Sequence, residues 1–559
     1  MTSTSLCRIA LPGLLYLAAA CGGSGPDDNG TADCGGINPT ALAVGDFAVI
    51  DAADQGCVRF PAAGASGAEH LYVALAGEGE ERETGVTAPY QLDGGQVTSA
   101  VRMSGSAARL RRTGGAAGRF HTRLRDLERD LASRAGAPQL SRAPSLAVQG
   151  RPPVVGEVRT FKVCEIPTCE TFVDATATVR VVAQRVAIYL DNDAPTGGYT
   201  DADLLQVAEL FDSHLYPIDT AAFGRESDID ANDVVVVLLT QRINELSPDC
   251  NTSGSVILGY FFGLDLLPAQ ANSNDGEIFY GLVPNPDDAG CSVSKEFAFG
   301  FLPPVFIHEF QHMISFNQHV LVAGSTTTED TWLNEGLSHY AEELGGRLVP
   351  DAECQPLFDN CESQFISGDV DNAYEYLVDP EASFLVEPRN SQGSLAERGA
   401  NWLFVRWLVD HFATEQPVGN DFTRRLVQTG NTGSANVEAE TGEAFPDLAA
   451  TWQLANYTED LPGFTPVNDR LQYTSWALRD LYQSNFEAGV YDKPYPLTPE
   501  VTSDGAVARS GTLRGGSGPH LRIVQPPSGP ALELKLTAGD GVSPVSASVQ
   551  PRIGLVRIR

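Results

Sequence analysis

Residues 308–312 read HEFQH within FLPPVFIHEFQHMISF, a stretch apolar on both sides. On an α-helix a four-residue step turns about 400° and rises about 6 Å, so His308 and His312 leave the same face one turn apart. That is what two imidazoles sharing one zinc ion require. Glu309 stands about 100° round the axis from His308. There it flanks such an ion without ligating it, the place for a base that takes a proton from metal-activated water. With nine histidines in the chain, the pattern arises by chance on the order of a hundredth of a time per chain. The plain alternative is two half-buried histidines held by carbonyls or a carboxylate. It is outweighed by TWLNEGLSHYAEEL at 331–344, where Glu335 comes 23 positions after His312 and offers a third, oxygen ligand. Glu342 and Glu343 are alternative third ligands. Glu342, two turns beyond Glu335 on the same face, can instead orient a ligand or bind a substrate amine. His339, one turn after Glu335, is a further residue able to orient a ligand; a histidine satisfied on the inner helix face is the structural alternative.

These groups need rigid elements. Pro303 and Pro304 fit a helix start, so helices are expected at 303–318 and 332–345, with others at 201–213 and 399–413. Strands are expected at 180–191 (RVVAQRVAIYLD) and 234–240 (VVVVLLT). Residues 155–502 thus form a long region of mixed helix and strand. Before it, 34–105 carries short runs such as FAVIDA and HLYVALAG that read as a small β-rich domain, and 503–559 reads as a β-like appendage. Between them, residues 102–159 hold twelve arginines against four acids. Phe120, Leu124, Leu127 and Leu131 predict one amphipathic helix over 118–134. The stretch 106–154 is either a linker with a solvated helix, the preferred reading, or a pro-segment whose basic face lies on the acidic body.

HEFQH followed by WLNEGLSHYAE resembles the gluzincin metallopeptidases. HEFQHMI with WLNEGLS is similar to the hyicolysin-type (M30) neutral zinc peptidases, and WLNEG also resembles the M1 aminopeptidases. The resemblance covers chiefly 300–345, more loosely 155–415. It implies an α+β fold with a gluzincin-like catalytic domain between small β-rich flanks, one Zn2+ held by His308, His312 and Glu335, and Glu309 as general base. The metzincin pattern fails after His312, and His319 is at the wrong spacing. Gluzincins commonly supply a Tyr or His to the oxyanion. LAERGANWLFVRWLVDHF (395–412) resembles the helix that follows this residue in the M1 group, but Ala396 stands where tyrosine would. Arg398 is a donor candidate by position, Tyr374 and Tyr376 by chemistry.

Residues 9–20 are a short apolar run after Arg8, ending in small residues. This reads as a signal peptide over 1–20. Cys21 and the hydrophilic stretch 21–33 resemble a bacterial lipoprotein tether, although Ala18 replaces the usual leucine and ordinary cleavage after Ala20 is the alternative. The protein is expected in the cell envelope or outside the cell, touching membrane only through Cys21 if that residue is lipidated. Removing Cys7 and lipidating Cys21 leaves eight cysteines, an even set suited to disulfides. Neighbour pairing, 34 with 57, 164 with 169, 250 with 291 and 354 with 361, is the simplest arrangement. A formal charge of −35 argues against nucleic acid as a partner. Asp228, Asp230, Asn232 and Asp233 in SDIDAND could serve Ca2+, but the EF-hand positions are not met and a solvated Asx turn is preferred. No GxMEN-type amine-recognition motif precedes HEFQH, which favours an endopeptidase acting on peptide or protein substrates. The alternative is a surface lipoprotein that binds a partner or glycan without catalysis.

Overall fold

The computed structural model describes residues 37–54, 56–95, 103–104, 115–135, 150–268, 270–355, 357–391, 393–503 and 506–559. The expected signal peptide, Cys21, the tether and Cys34 lie outside these.

Ten strands come from the two ends of the chain. The N-terminal set is β1 (Phe47–Asp51), β2 (Cys57–Phe60), β3 (Ala68–Leu75), β4 (Thr87–Gly94) and β5 (Met103–Ser104). The central region supplies β6 (Val158–Cys164), β7 (Phe172–Val182), β8 (Val186–Asp191), β9 (Val235–Leu239), β10 (Gly259–Phe261) and β11 (Ile278–Gly281). The C-terminal set is β12 (Glu500–Ser503), β13 (Val507–Arg514), β14 (His520–Gln525), β15 (Leu532–Ala538) and β16 (Arg552–Arg557). The flanks do not form two separate units. Their strands interleave in two five-stranded sheets, ordered β1-β16-β3-β14-β12 and β2-β15-β4-β13-β5. Each flank alternates inward and outward residues, as in β4, but has half the strands needed to cover its apolar face. Together they bury a shared core that includes Tyr72, Leu92, Leu521, Leu536 and Leu555.

The central sheet runs β10-β11-β9-β8-β7-β6. Its β8, β9 and β11 are parallel, and β9 (VVVLL) is buried along its whole length, the pattern of a strand covered on both faces. β10 is an edge strand, antiparallel to β11.

Five helices matter to the site. These are α1 (Ala116–Ala135), α2 (Lys295–Phe316), α3 (Thr331–Leu348), α4 (Cys361–Val378) and α5 (Leu395–Phe412). α2 lies on the central sheet through Phe306, which meets Phe279 of β11 edge-on, and Phe310 meets Phe211 of the neighbouring helical segment edge-on. It does not begin at the prolines. It starts at Lys295, capped by the Ser294 side chain, and carries Pro303 and Pro304 inside. Pro304 has no N–H for the carbonyl of Gly300, and Gln364 of α4 donates to that oxygen instead, at 2.8 Å. α3 packs on α2, α4 and α5. Gly336 permits the contact with α5, since a Cβ there would stand 2.8 Å from the Asn401 carbonyl oxygen.

α1 departs from the expected solvated linker. Phe120, Leu124 and Ala132 are buried, with Leu127 and Leu131 packed against the same core. Its polar Arg125 and Glu128 are also buried. Three cysteine pairs are joined as the neighbour scheme has them: 164 with 169, 250 with 291, and 354 with 361.

Candidate metal centre

α2 presents His308 and His312 on one face, and α3 lays Glu335 across them. The two Nε2 atoms are 3.2 Å apart. Glu335 approaches with Oε2 at 3.7 Å from His308 Nε2 and Oε1 at 3.8 Å from His312 Nε2. Zinc with ligand bonds near 2.0–2.1 Å separates tetrahedral donors by about 3.3 Å, so the spacing suits one ion. His308, His312 and Glu335 are together a group able to hold a metal.

The surrounding hydrogen bonds fix which imidazole nitrogens are free. His308 Nδ1 meets Glu342 Oε1 at 2.8 Å. His312 Nδ1 meets Ser338 Oγ at 3.0 Å and Asn334 Oδ1 at 3.2 Å. Because the carboxylate and amide oxygens only accept, the ring protons belong on Nδ1 and both Nε2 lone pairs face the gap. Glu335 Oε1 is buried there without any hydrogen-bond partner. Three lone-pair atoms converging with no donor between them repel one another unless a cation sits among them.

Arg398 at the start of α5 pairs with Glu335 Oε2. Burial raises the pKa of Glu335, but Arg398, His312 and His308 outweigh it and hold the carboxyl well below its ordinary value. His339 lies between Glu342 Oε1 at 3.0 Å and Asp369 Oδ1 at 2.8 Å. Burial lowers the His339 pKa, yet Asp369 and Glu342 carry it to about 10. His339 Nδ1 thus holds Glu342 in place behind His308.

Glu309 is buried beside the triad. Its Oε2 accepts a 2.7 Å hydrogen bond from the Phe261 N–H of β10. Burial raises the Glu309 pKa, while His308 and Arg125 oppose the shift.

Several sequence-level candidates fall elsewhere. Glu343 is no ligand: it points to the far side of α3, bonded to Arg347, Arg406, Trp402 and Trp476. Tyr374 stacks on Tyr491 at 4.1 Å, and the Tyr376 hydroxyl bonds Ser517 and Gln453. Both serve packing between α4 and its neighbours, away from the metal centre. His319 is buried with Glu329, 3.5 Å away. Asn334, Ser338 and Asp369 were not singled out from the sequence. The first two adjoin Glu335 at helical spacing, a signal that was available; Asp369 had none. In the acidic loop, Asn232 is spent on the turn, donating to Asp228 and Asp230. The carboxylate that joins Asp228 and Asp230 within 4.8 Å is the distant Glu277, while Asp233 donates its N–H to Asp228.

No protein-family model matches the chain. Over 146 residues, 26% of this chain and 31% of the relative, it is 29% identical to the neutral metalloprotease ShpI of Staphylococcus hyicus. The chain thus spans about a third of that relative's length. Two crystal structures of an M1 zinc metallopeptidase from Deinococcus radiodurans are similar at 14% and 13% identity, each with a TM-score of 0.28. They cover 53% and 56% of this chain, and 51% and 54% of their own. The protein is therefore similar in sequence, over a limited stretch, to a metalloprotease, and it carries a buried two-histidine, one-glutamate cluster with the geometry of a metal centre.

Proposed function

We propose that this protein is an exported zinc-dependent endopeptidase of the hyicolysin type, with His308, His312 and Glu335 as ligands and Glu309 as general base. The observation that carries the reading is the convergence of both Nε2 atoms and the unpartnered Glu335 Oε1 on one point. The sequence likeness to a named neutral metalloprotease supports it. Zinc bound there supplies Lewis-acid chemistry, acidifying water and polarising a carbonyl.

The chain's own residues do the rest. Glu309, tethered through Oε2, has its carboxylate beside the cluster; it takes the proton of the attacking water and delivers it to the departing amine nitrogen. Glu342 and the Asn334–Ser338 pair keep the two imidazoles in the tautomer that leaves Nε2 free. Arg398 holds Glu335 and keeps it ionised, so it acts through that carboxylate. Export rests on the apolar leader and the three joined cysteine pairs, with a lipid anchor at Cys21, or a free secreted form if Cys21 is not lipidated.

The deciding experiment is Glu309→Gln with zinc content measured on the same sample. Turnover of a protein substrate should fall by about 10²- to 10⁴-fold with zinc still bound. A variant that cleaves like wild type removes Glu309 from the mechanism, and a wild-type chain that takes up no zinc removes the metal centre.

A further inference from the structure

All four chemical residues are shut from solvent: His308 is 7% exposed, Glu309 3%, His312 0% and Glu335 1%. A peptide must nevertheless lie against them if the endopeptidase reading holds. The element to ask about is α1, because its charged side chains are spent on the neighbouring edge strand.

Arg125 Nη2 donates to the Phe261 carbonyl at 2.8 Å. Glu128 Oε1 accepts from the Gly263 N–H at 2.7 Å. Glu309 already takes the Phe261 N–H. Both outward backbone groups of Phe261, which an extended peptide would pair with if it added to this edge, are therefore occupied, the carbonyl by α1 and the N–H by Glu309, and α1 also holds the first N–H of the turn that follows β10. Arg125 and Glu128 also pair with each other at 3.3 Å, with side chains 2% and 1% exposed. The helix is held at several further points. Phe120 meets Tyr260 edge-on at 5.1 Å, Ala117 N–H donates to Ser255 Oγ at 3.2 Å, and Arg129 pairs with Glu81 beside the start of α3.

We propose that α1 is an internal inhibitor, occupying the edge of β10 beside the metal centre where an extended substrate would lie, and that the intact chain is latent until this helix is cut out. The proposal rests on the endopeptidase reading. A helix suits the task because its own carbonyls and N–H groups are bonded internally, so it fills the cleft without offering an extended peptide bond to Glu309. Phe120 and Leu124 make the seat tight, and the buried Arg125–Glu128 pair makes it specific, so the helix stays in place until the chain is cut on both sides. The sequence on either side carries Arg109, Arg111, Arg112 and Arg142 among small residues, which suits a peptidase that cuts after arginine. Release needs hydrolysis of one bond on each side, each consuming a water and leaving a carboxylate and an ammonium group. β1 to β4 stay attached after both cuts, because they pair with the C-terminal strands.

The test is made on the full zinc-loaded chain, with recognition sequences for a site-specific protease placed in 105–112 and 138–146. Two readouts are compared before and after cutting: cleavage of a quenched fluorescent peptide, and affinity for a peptide hydroxamate. Both should rise at least tenfold, with zinc content unchanged. The double variant Arg125→Ala with Glu128→Ala, uncut, should show a smaller rise in hydroxamate affinity, about threefold or more. Hydroxamate affinity unmoved by cutting, or turnover lost on cutting, overturns the proposal and makes α1 a working part of the cleft. Affinity that rises on cutting while neither form cleaves any peptide upholds the plug and sinks the peptidase reading instead.

Discussion

Glu335 and Glu343 sit on the same helix and are equally closed to solvent, at 1% and 0% exposure, yet their surroundings are opposite. Glu343 is saturated: Oε1 accepts from Arg347, Arg406 and Trp476, and Oε2 from Trp402. Arg406 is in turn shared with Asp410 and with the Tyr340 hydroxyl. Glu335 has Arg398 and the facing His308 on Oε2, and on Oε1 only the facing His312 Nε2, which offers no proton. Burial and charge do not distinguish a functional carboxylate from a structural one. What distinguishes them is whether every lone pair has a donor. On α3 the face whose pairing is complete is scaffold, and the face left one partner short is the site.

The contrast is open to direct attack. Glu343→Ala leaves Arg406 with Asp410 as its one carboxylate partner, takes the acceptor from Arg347, Trp402 and Trp476, and should cost about 3–5 kcal/mol, read as a lowered urea midpoint, while the protein that still folds binds zinc normally. Glu335→Gln keeps an acceptor for Arg398 but removes the ligand charge. Its zinc affinity should drop by more than about 100-fold, beyond what loss of an outer partner causes, with a much smaller change in the metal-free unfolding midpoint. Equal effects of the two substitutions on zinc would erase the distinction. Asn334→Ala, which touches the metal centre only through His312, should weaken zinc by about 10- to 100-fold in a chelator competition. At the bottom of the range, Tyr376→Phe removes a hydroxyl bonded to Ser517 and Gln453. It should cost about 0.5–1.5 kcal/mol and leave kcat unchanged; a large loss of kcat would return Tyr376 to the site.

What could be read in the sequence was what local geometry fixes. His308 and His312 lie one helical turn apart whatever surrounds them, and Glu335 falls on the next helix, so the triad was legible. Asp369 comes 30 residues later than His339, and nothing short of the packed α3–α4 pair brings them together. Arg398 was reached by position along its helix and does meet Glu335. Tyr374 and Tyr376 have the chemistry of an oxyanion donor but no positional signal, and neither reaches the centre. The helix carrying the motif was begun too late because Pro303 and Pro304 look like a start; the repair by Gln364 is made from another helix and leaves no local trace. The solvated reading of α1 failed for a related reason. Its apolar stripe was visible, but the buried Arg125–Glu128 pair reads as surface charge until its partners at 261 and 263 are known.

β16, Arg552–Arg557, is inserted between β1 and β3, and among the described residues β1 has it as its sole neighbour in the sheet. During synthesis the ribosome delivers Phe47–Asp51 roughly five hundred residues before the segment that will cover it, and closing so long a loop delays pairing more than it weakens it. A chain that lacked Arg552–Arg557 would therefore leave Phe47–Asp51 without this partner, exposed as a sticky edge.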